Sequence, residues 1–246
     1  MSILCYHSLD PGWSSPMAVP PRLFAAHAEW LTASRRVVPA EVAAAAMSYR
    51  GTLPRGMAAV TFDDGYSDLH QHALPVLARL RLPATVFVVA ATLGGGKEVD
   101  WVDDPPAHPL KTLDRGQVRE MQDAGVTFGS HSLVHADLTG LTYERCVEDL
   151  TASRTVLEDV LGRAVGMLAY PRGRHNEDVR RAAAAAGYQV AFSLPETREP
   201  VSPLSVPRAG VYPHNGIRTL RAKTASGYVA ARTGAGALLS RLKRTR

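Results

Sequence analysis

The sequence is poor in cysteine, in aromatic residues and in long apolar segments. Its two cysteines, Cys5 and Cys146, are too few for a disulfide framework, and their apolar surroundings predict that both are buried. No apolar run approaches the roughly 20 residues that a membrane-spanning helix needs. Aromatic residues are 7% of the chain and do not alternate with basic ones. No nucleic-acid-binding motif is present either, so we expect no nucleic-acid partner.

A secretory signal is also missing from the N-terminal segment MSILCYHSLD, which has neither a basic region nor a long apolar core. We therefore expect a cytoplasmic protein, or an extracellular one if the N-terminus has been trimmed. Much of the net charge of +5 lies at the end of the chain, where RLKRTR follows other basic residues. We interpret this end, from about residue 217, as a helical or frayed solvated tail, with binding to nucleic acid or to an anionic membrane as the alternative.

Strand-like apolar runs alternate with helix-like stretches along the 246 residues. Seven strands are predicted, in the segments ILCYH, MAAVTF, ATVFVVA, VTFGS, VGMLAY, YQVAFS and LSVPR. Strands that are separated by helices indicate parallel βαβ units. The predicted fold is α/β, a distorted or incomplete (β/α) barrel of about seven parallel strands, with a doubly wound open sheet as the alternative. No linker divides the chain, so residues 1–246 are predicted to form a single domain.

Helix ends and irregular segments complete the predicted organisation. The helix SDLHQHALPVLARL is predicted to be capped by Ser67 or Asp68. The long helix that follows Thr142 is predicted to be capped by that residue and to end at Gly162. GGGKEVDWVDDPPAHPLKT, residues 94–112, is a long irregular insertion of the kind that often forms a lid or a groove wall, and residues 195–203 form a second irregular segment.

Polar residues follow the predicted strands at the edge where α/β folds carry their chemistry. In chain order they are His7, Asp63, Asp64, His131, His135, Arg172, His175 and Arg208. Because the ends of parallel strands meet on one face, we expect these side chains to form one site.

His131 and His135 are spaced for a metal site. If they lie on one helical turn, a separation of four residues puts both imidazoles on the same side. Two imidazoles and a carboxylate suit a divalent ion with water in its open position; zinc fits best, and cobalt, nickel and manganese are alternatives. Taken alone, the pair is more typical of structural capping or of satisfied core histidines, and the Asp-Asp-Gly sequence after a neighbouring strand reverses that preference.

The adjacent aspartates Asp63 and Asp64 follow the second strand and precede Gly65. A metal site that activates water needs one carboxylate as a ligand and a second group as a base. The alternative interpretation, an Asp-Gly turn, explains Asp64 but not Asp63.

These motifs resemble those of the polysaccharide deacetylases of the NodB-homology type, carbohydrate esterase family 4. TFDDGY (61–66) resembles the first motif of the family, HSLVHADL (131–138) the second, and AYPRG (169–173) stands at the place of the third. The early Tyr-His pair resembles the branch that includes deacetylases of poly-β-1,6-N-acetylglucosamine. The resemblance extends from about Ile3 to Arg208.

The resemblance implies a role for several residues. Asp63 would be the base, and Asp64, His131 and His135 would bind the metal. The residues that would contact the sugar or its acetyl group are Tyr66, Trp101, Leu138, Tyr170, Pro171 and Arg172. Leu138 would line a pocket for the acetyl methyl group, and the backbone N–H of Arg172 would bind the oxyanion. For Trp101, packing of the insertion is the alternative role.

The sequence departs from the family pattern in the motif that orients the base and in the motif that supplies the general acid. Ala169 stands where an arginine usually orients the base, and Arg172 stands where an aromatic residue is usual, so we assign the orientation of the base to Arg208. The usual Leu-x-His motif is missing, and we assign the general acid to His7, with a buried structural histidine as the alternative. His214 is interpreted as a solvated loop residue.

The predicted function is the metal-dependent hydrolysis of the N-acetyl amide of an N-acetylated sugar, which is the expected substrate partner. Two alternatives stay open. The chain could hydrolyse another small C–N amide, such as a formamide or a non-polymeric sugar conjugate, or it could be a catalytically impaired sugar-binding homologue. The sequence does not predict the oligomeric state.

Overall fold

A computed structural model describes residues 2–94, 98–195, 199–225 and 227–233, so the basic end of the predicted tail, RLKRTR, lies outside the described residues. The strands are β1 (Ile3–Tyr6), β2 (Arg36–Val37), β3 (Met57–Phe62), β4 (Ala84–Val88), β5 (Thr127–Ser130), β6 (Met167–Ala169), β7 (Val190–Ser193) and β8 (Val206–Gly210). The main helices are α1 (Pro21–Ser34), α2 (Ala40–Arg50), α3 (Leu74–Leu80), α4 (Arg115–Asp123), α5 (Tyr143–Leu161), α6 (Glu177–Ala185) and α7 (Ile217–Lys223).

Seven of the strands close into a parallel barrel. The order runs from β3 through β4, β5, β6 and β7 to β8, and β1 pairs with both β8 and β3. The predicted (β/α) barrel is therefore confirmed, and the open sheet is wrong because β1 joins the two edges. The short strand β2, which the sequence does not predict, pairs with the first two residues of β3.

Side chains alternate between the inside and the outside of the barrel. The inner residues form one apolar cluster, Ile3, Ala59, Phe87, Met167, Ala169, Phe192 and Val206, and α2 packs against it at the N-terminal ends of the strands. The outward residues Leu4, Val60 and Val86 pack in a second cluster with the surrounding helices. Because both faces are buried, the strands have the nearly continuous apolar sequences from which they were predicted.

Several local predictions can be compared with the structure. Thr142 caps α5 through its side chain, and Gly162 ends that helix in the left-handed conformation, as predicted. The helix after β3 begins with a π-helical turn, Leu69–Ala73, and Asp68 does not cap it. Instead the Asp68 carboxylate accepts hydrogen bonds from Ser8 Oγ (2.8 Å) and the Leu9 N–H (2.6 Å), so the predicted cap is wrong.

Both cysteines are buried and free, as predicted. Among the described residues, no helix is long and apolar enough to cross a membrane.

Candidate active site

The C-terminal ends of the strands surround a cavity of about 350 Å³. Its wall contains His7, Asp63, Asp64, Tyr66, Trp101, Asp103, Asp104, His131, His135 and Arg172, together with Ser15, Pro16, Met17, Val102, Gly173 and Leu194. Most of the polar residues predicted from the ends of separate strands are thus brought to one place. The cavity lies at the low end of the size range of small-molecule sites.

Asp63 follows β3 directly, and its carboxylate is bound by the guanidinium of Arg208. The two guanidinium nitrogens Nη1 and Nη2 donate to Oδ1 (2.6 Å) and Oδ2 (2.7 Å), and Nη1 also donates to Thr61 Oγ1 at 3.1 Å. Asp63 is 1% exposed and Arg208 is fully buried. A bidentate pair of this kind fixes both the position and the rotation of the carboxylate.

Arg208 lies inside the barrel, within β8, and not after the strand as the sequence predicts. Its guanidinium lies 5.4 Å from the Phe87 ring centroid and 5.8 Å from that of Phe192, so aromatic faces surround the cation where it lacks hydrogen bonds. Burial acts to raise the pKa of Asp63, but Arg208 outweighs it and holds the pKa below its usual range. Asp63 is therefore ionised at neutral pH.

Asp64, His131 and His135 face one another beside this pair. Asp64 Oδ1 lies 3.5 Å from His131 Nε2 and 3.3 Å from His135 Nε2, and all three residues are buried. His131 Nδ1 lies 2.8 Å from the carbonyl oxygen of Ala169, which can only accept, so Nδ1 carries a proton and Nε2 is the nitrogen that faces Asp64. Burial lowers the pKa of His135, so the ring of that residue is neutral at pH 7.

The three groups fit a divalent cation. Asp64 Oδ1 is buried without a hydrogen-bond partner. It faces Nε2 of the His131 ring, whose other nitrogen is bound to the Ala169 carbonyl oxygen. One ligand atom from each residue lies within 4.8 Å of the other two, a spacing that a small metal ion can bridge. The Ala169 carbonyl supplies the outer hydrogen bond that commonly orients a ligating histidine.

The histidines lie in an irregular loop after β5, and the predicted helical turn is wrong. Ser132 (φ 67°) and His135 (φ 60°) both have left-handed backbones. The loop is held by hydrogen bonds from the His135 N–H to Ser132 Oγ (2.9 Å) and from the Leu133 N–H to the Asp149 carboxylate (2.9 Å). Local hydrogen bonds, and not helical spacing, bring the two imidazoles together.

The turn after β3 needs a glycine next to the aspartates. Asp64 (φ 66°) and Gly65 (φ 65°) both have left-handed backbones. A Cβ atom on Gly65 would lie 2.5 Å from Val88 Cγ1, so a larger residue would force Val88 or the turn to shift. This turn presents Asp64 to the histidines while Asp63 stays against Arg208.

His7, Trp101 and Arg172 complete the cavity wall. One His7 nitrogen lies within 4.8 Å of an Asp63 oxygen, and burial lowers the pKa of His7 although both aspartates oppose this effect. The Trp101 ring stacks on the His135 ring, with centroids 4.9 Å apart and an interplanar angle of 25°. Arg172 is exposed and has a left-handed backbone, φ 58°.

Other predicted residues lie away from the cavity wall. Leu138 and Tyr170 are core residues, and the Tyr170 hydroxyl donates to the Leu204 carbonyl oxygen at 2.9 Å. Pro171 is buried beneath the turn that carries Arg172. None of the three is in the cavity wall, and their contacts with the sugar or its acetyl group stay predictions.

Two of the remaining histidines are also outside the cavity wall. His175 pairs with Glu199 (3.0 Å) and is not in the cavity wall, so the prediction that it joins the site is wrong. His214 is exposed in a loop, as predicted.

Three further residues of the site were not identified from the sequence. Cys5 is on β1, two residues before His7, which directly follows that strand, so strand alternation could have placed Cys5 on the same inner face. Asp103 and Asp104 lie in the insertion, which has no periodicity from which a side-chain direction could be read. The insertion is held in place by a hydrogen bond from Trp13 Nε1 to the Asp104 carbonyl oxygen. Directly after the insertion, the Leu113 N–H donates to the Gly65 carbonyl oxygen.

Residues 50–191 match the sequence model of the family described as polysaccharide deacetylase. The chain is 31% identical over 193 residues to YxkH of Bacillus subtilis, a protein named for the same family, and the match covers 77% of this chain and 63% of YxkH. It is 24% identical over 156 residues to the poly-β-1,6-N-acetyl-D-glucosamine N-deacetylase of Staphylococcus aureus, covering 60% of this chain and 51% of that protein. The matches therefore span less than two thirds of either relative.

Two solved structures share the fold over nearly their whole length. The deacetylase PplD of Streptococcus pyogenes, solved in complex with acetate, has a TM-score of 0.77 at 22% identity, with 92% of this chain and 98% of that one covered. IcaB of Ammonifex degensii has a TM-score of 0.75 at 24% identity, with 91% and 97% covered.

Proposed function

Because the chain belongs to the polysaccharide deacetylase family, we propose that it hydrolyses the N-acetyl amide of an N-acetylated sugar and releases acetate, with the help of one divalent metal ion. The observation that carries this proposal is a buried, arginine-bound carboxylate beside three ligands for a cation in one cavity. Amide hydrolysis needs both, since an unactivated water attacks an amide carbonyl too slowly.

Asp63 acts as the general base. Its carboxylate is ionised, is held rigidly by Arg208, and lies in the wall of the cavity where an attacking water would stand. Asp64, His131 and His135 bind the metal ion, and zinc is the ion that suits these ligands best. Bound there, the ion supplies Lewis-acid polarisation of the acetamide carbonyl and a lower pKa for water.

His7 and Arg172 assist two steps of the reaction, the protonation of the leaving amine and the stabilisation of the oxyanion. His7 is neutral before the reaction, and one of its nitrogens lies within 4.8 Å of an Asp63 oxygen, a distance that one water molecule can bridge. Through that water it receives the proton taken by Asp63 and passes it to the leaving amine. The backbone N–H of Arg172, at a left-handed turn in the cavity wall, donates to the oxyanion that develops on the acetyl carbonyl.

A polymer or oligomer of N-acetylglucosamine is the substrate class that we propose. The Staphylococcus aureus relative is named for the poly-β-1,6-linked polymer. Tyr66 and Trp101 contribute aromatic side chains to the cavity wall, and aromatic faces suit sugar rings. A cavity of this size encloses one acetamido sugar, while the neighbouring units of a chain stay outside.

Acetate release tests the proposal. We expect zinc- or cobalt-loaded protein to release acetate from β-1,6- or β-1,4-linked N-acetylglucosamine oligomers. Asp63→Asn should lower turnover by at least about 10³-fold, because the base is lost, while the metal content of the protein stays the same.

Two further substrates, an N-formylated sugar and a single N-acetylglucosamine conjugate, test the alternatives. Preference for an N-formylated sugar or for a single sugar conjugate would contradict the proposed substrate. Sugar binding without any acetate release would point to a catalytically impaired homologue. Full activity of Asp63→Asn would contradict the assignment of the base.

A further inference from the structure

The Asp63 carboxylate has one hydrogen-bond acceptor position that the described residues do not fill. An ionised carboxylate offers about four lone-pair positions, two on each oxygen. Arg208 fills one on Oδ1 and one on Oδ2. The Cys5 thiol fills a second position on Oδ2, at 3.3 Å. The open position is therefore on Oδ1.

The Cys5 thiol is well placed to donate its hydrogen bond to Asp63 Oδ2. Cys5 is fully buried on β1, where it pairs with Thr61 of β3, two residues before Asp63. Burial raises the pKa of the thiol well above its ordinary value, so the sulfur keeps its proton. The other acceptor within reach, the Tyr6 carbonyl oxygen, is farther away at 3.7 Å and is neutral.

Cys5, His7 and Asp63 also lie within 4.8 Å of one another, which is close enough for a second metal site. The charges argue against that reading. Asp63 already carries the Arg208 guanidinium on both oxygens, and a metal ion would be repelled by this cation. A sulfur ligand would also have to lose its proton, which burial opposes.

We propose that Cys5 is a positioning residue for Asp63: its thiol occupies Oδ2, so that Oδ1 is the single oxygen that takes the proton of the attacking water. This inference rests on the proposed function and adds a residue to it. A thiol suits the task because it is a weak donor. It restricts the carboxylate to one reactive oxygen and removes little of its basicity.

The kinetic test compares three variants with the wild-type protein, all loaded with zinc. Cys5→Ala should lower kcat for acetate release by about 3- to 10-fold with KM unchanged, since one hydrogen bond to the base is lost. Cys5→Ser keeps a donor and should recover kcat to within about twofold of wild type. Cys146→Ala is the matched control, because Cys146 is also buried but donates to the Leu138 carbonyl oxygen at 3.2 Å, and it should leave kcat unchanged.

Infrared spectroscopy tests the hydrogen bond without relying on activity. In Cys146→Ala the remaining S–H stretching band belongs to Cys5 and should lie at a lowered frequency. The band should move to higher frequency when Asp63→Asn is added, because an amide is a weaker acceptor than a carboxylate.

The outcomes separate this inference from the proposed function. An unmoved S–H band, wild-type kcat in Cys5→Ala, or an equal loss in Cys5→Ser and Cys5→Ala would overturn the positioning role. If the wild-type protein releases no acetate, the proposed function fails, and the infrared band still decides whether Cys5 binds Asp63.

Discussion

The Asp63–Arg208 contact illustrates how far the sequence leads and where it stops. The two aspartates and the two histidines could be assigned because each pair lies within a few residues, as in the family motifs. Arg208 could only be inferred from the place of its strand in the predicted fold. Cys5 was missed because a single buried cysteine in an apolar strand has no pattern of its own.

Removal of Arg208 should destabilise the protein strongly. Arg208→Met leaves the Asp63 carboxylate buried without a counter-charge, and we expect the free energy of unfolding to fall by about 3–5 kcal/mol. Adding Asp63→Asn should restore a large part of this loss, because no unpaired charge then remains. Chemical denaturation of the two variants measures both effects.

A surface pair serves as the control for this prediction. Arg115 and Asp159 are 3.0 Å apart with both side chains well exposed, so Arg115→Met should cost less than about 1 kcal/mol. Equal effects of Arg208→Met and Arg115→Met would contradict the account of the buried pair.

The turn between β3 and the helix that follows it depends on left-handed backbone conformations at Asp64 and Gly65. The sequence identifies a turn at Asp64 and Gly65, but the contact of Gly65 with Val88 appears only when β3 and β4 are placed side by side. In the same way, the loop of His131 and His135 was mistaken for a helical turn. Its left-handed residues depend on hydrogen bonds that Ser132 Oγ and the Asp149 carboxylate accept from backbone N–H groups, and the spacing of the histidines does not reveal these contacts.

Alanine at Gly65 should cost more than its conformation alone explains. Gly51 at the end of α2 has a similar φ of 70° but nothing within 4 Å of its missing Cβ, so Gly51→Ala should cost about 1 kcal/mol. Gly65→Ala adds the clash with Val88 and should cost a further 1–3 kcal/mol or so. It should also weaken metal binding, because Asp64 is displaced. Thermal unfolding and metal content check the pair, and equal losses would show that Val88 yields without strain.

The closed barrel brings its first and last strands together at the site. β1 and β8 are neighbours, so Cys5 and His7 from the start of the sequence meet Arg208, which lies 145 positions after Asp63. Apolar runs predicted this architecture well because both faces of each strand are buried. The insertion could not be placed in the same way, since its position depends on single contacts such as that of Trp13 with Asp104.

The most direct test of the account is a metal titration followed by acetate release. Protein stripped with a chelator is supplied with zinc in steps, and the initial rate of acetate release from an N-acetylglucosamine oligomer is measured at each step. Asp64, His131 and His135 are the ligands of one ion, and Asp63 is held by Arg208 as the base and does not bind a second ion. The rate should therefore rise from near zero and level off at one zinc per chain. Full activity in the stripped protein, a break at two ions, or no acetate at any zinc level would contradict the account.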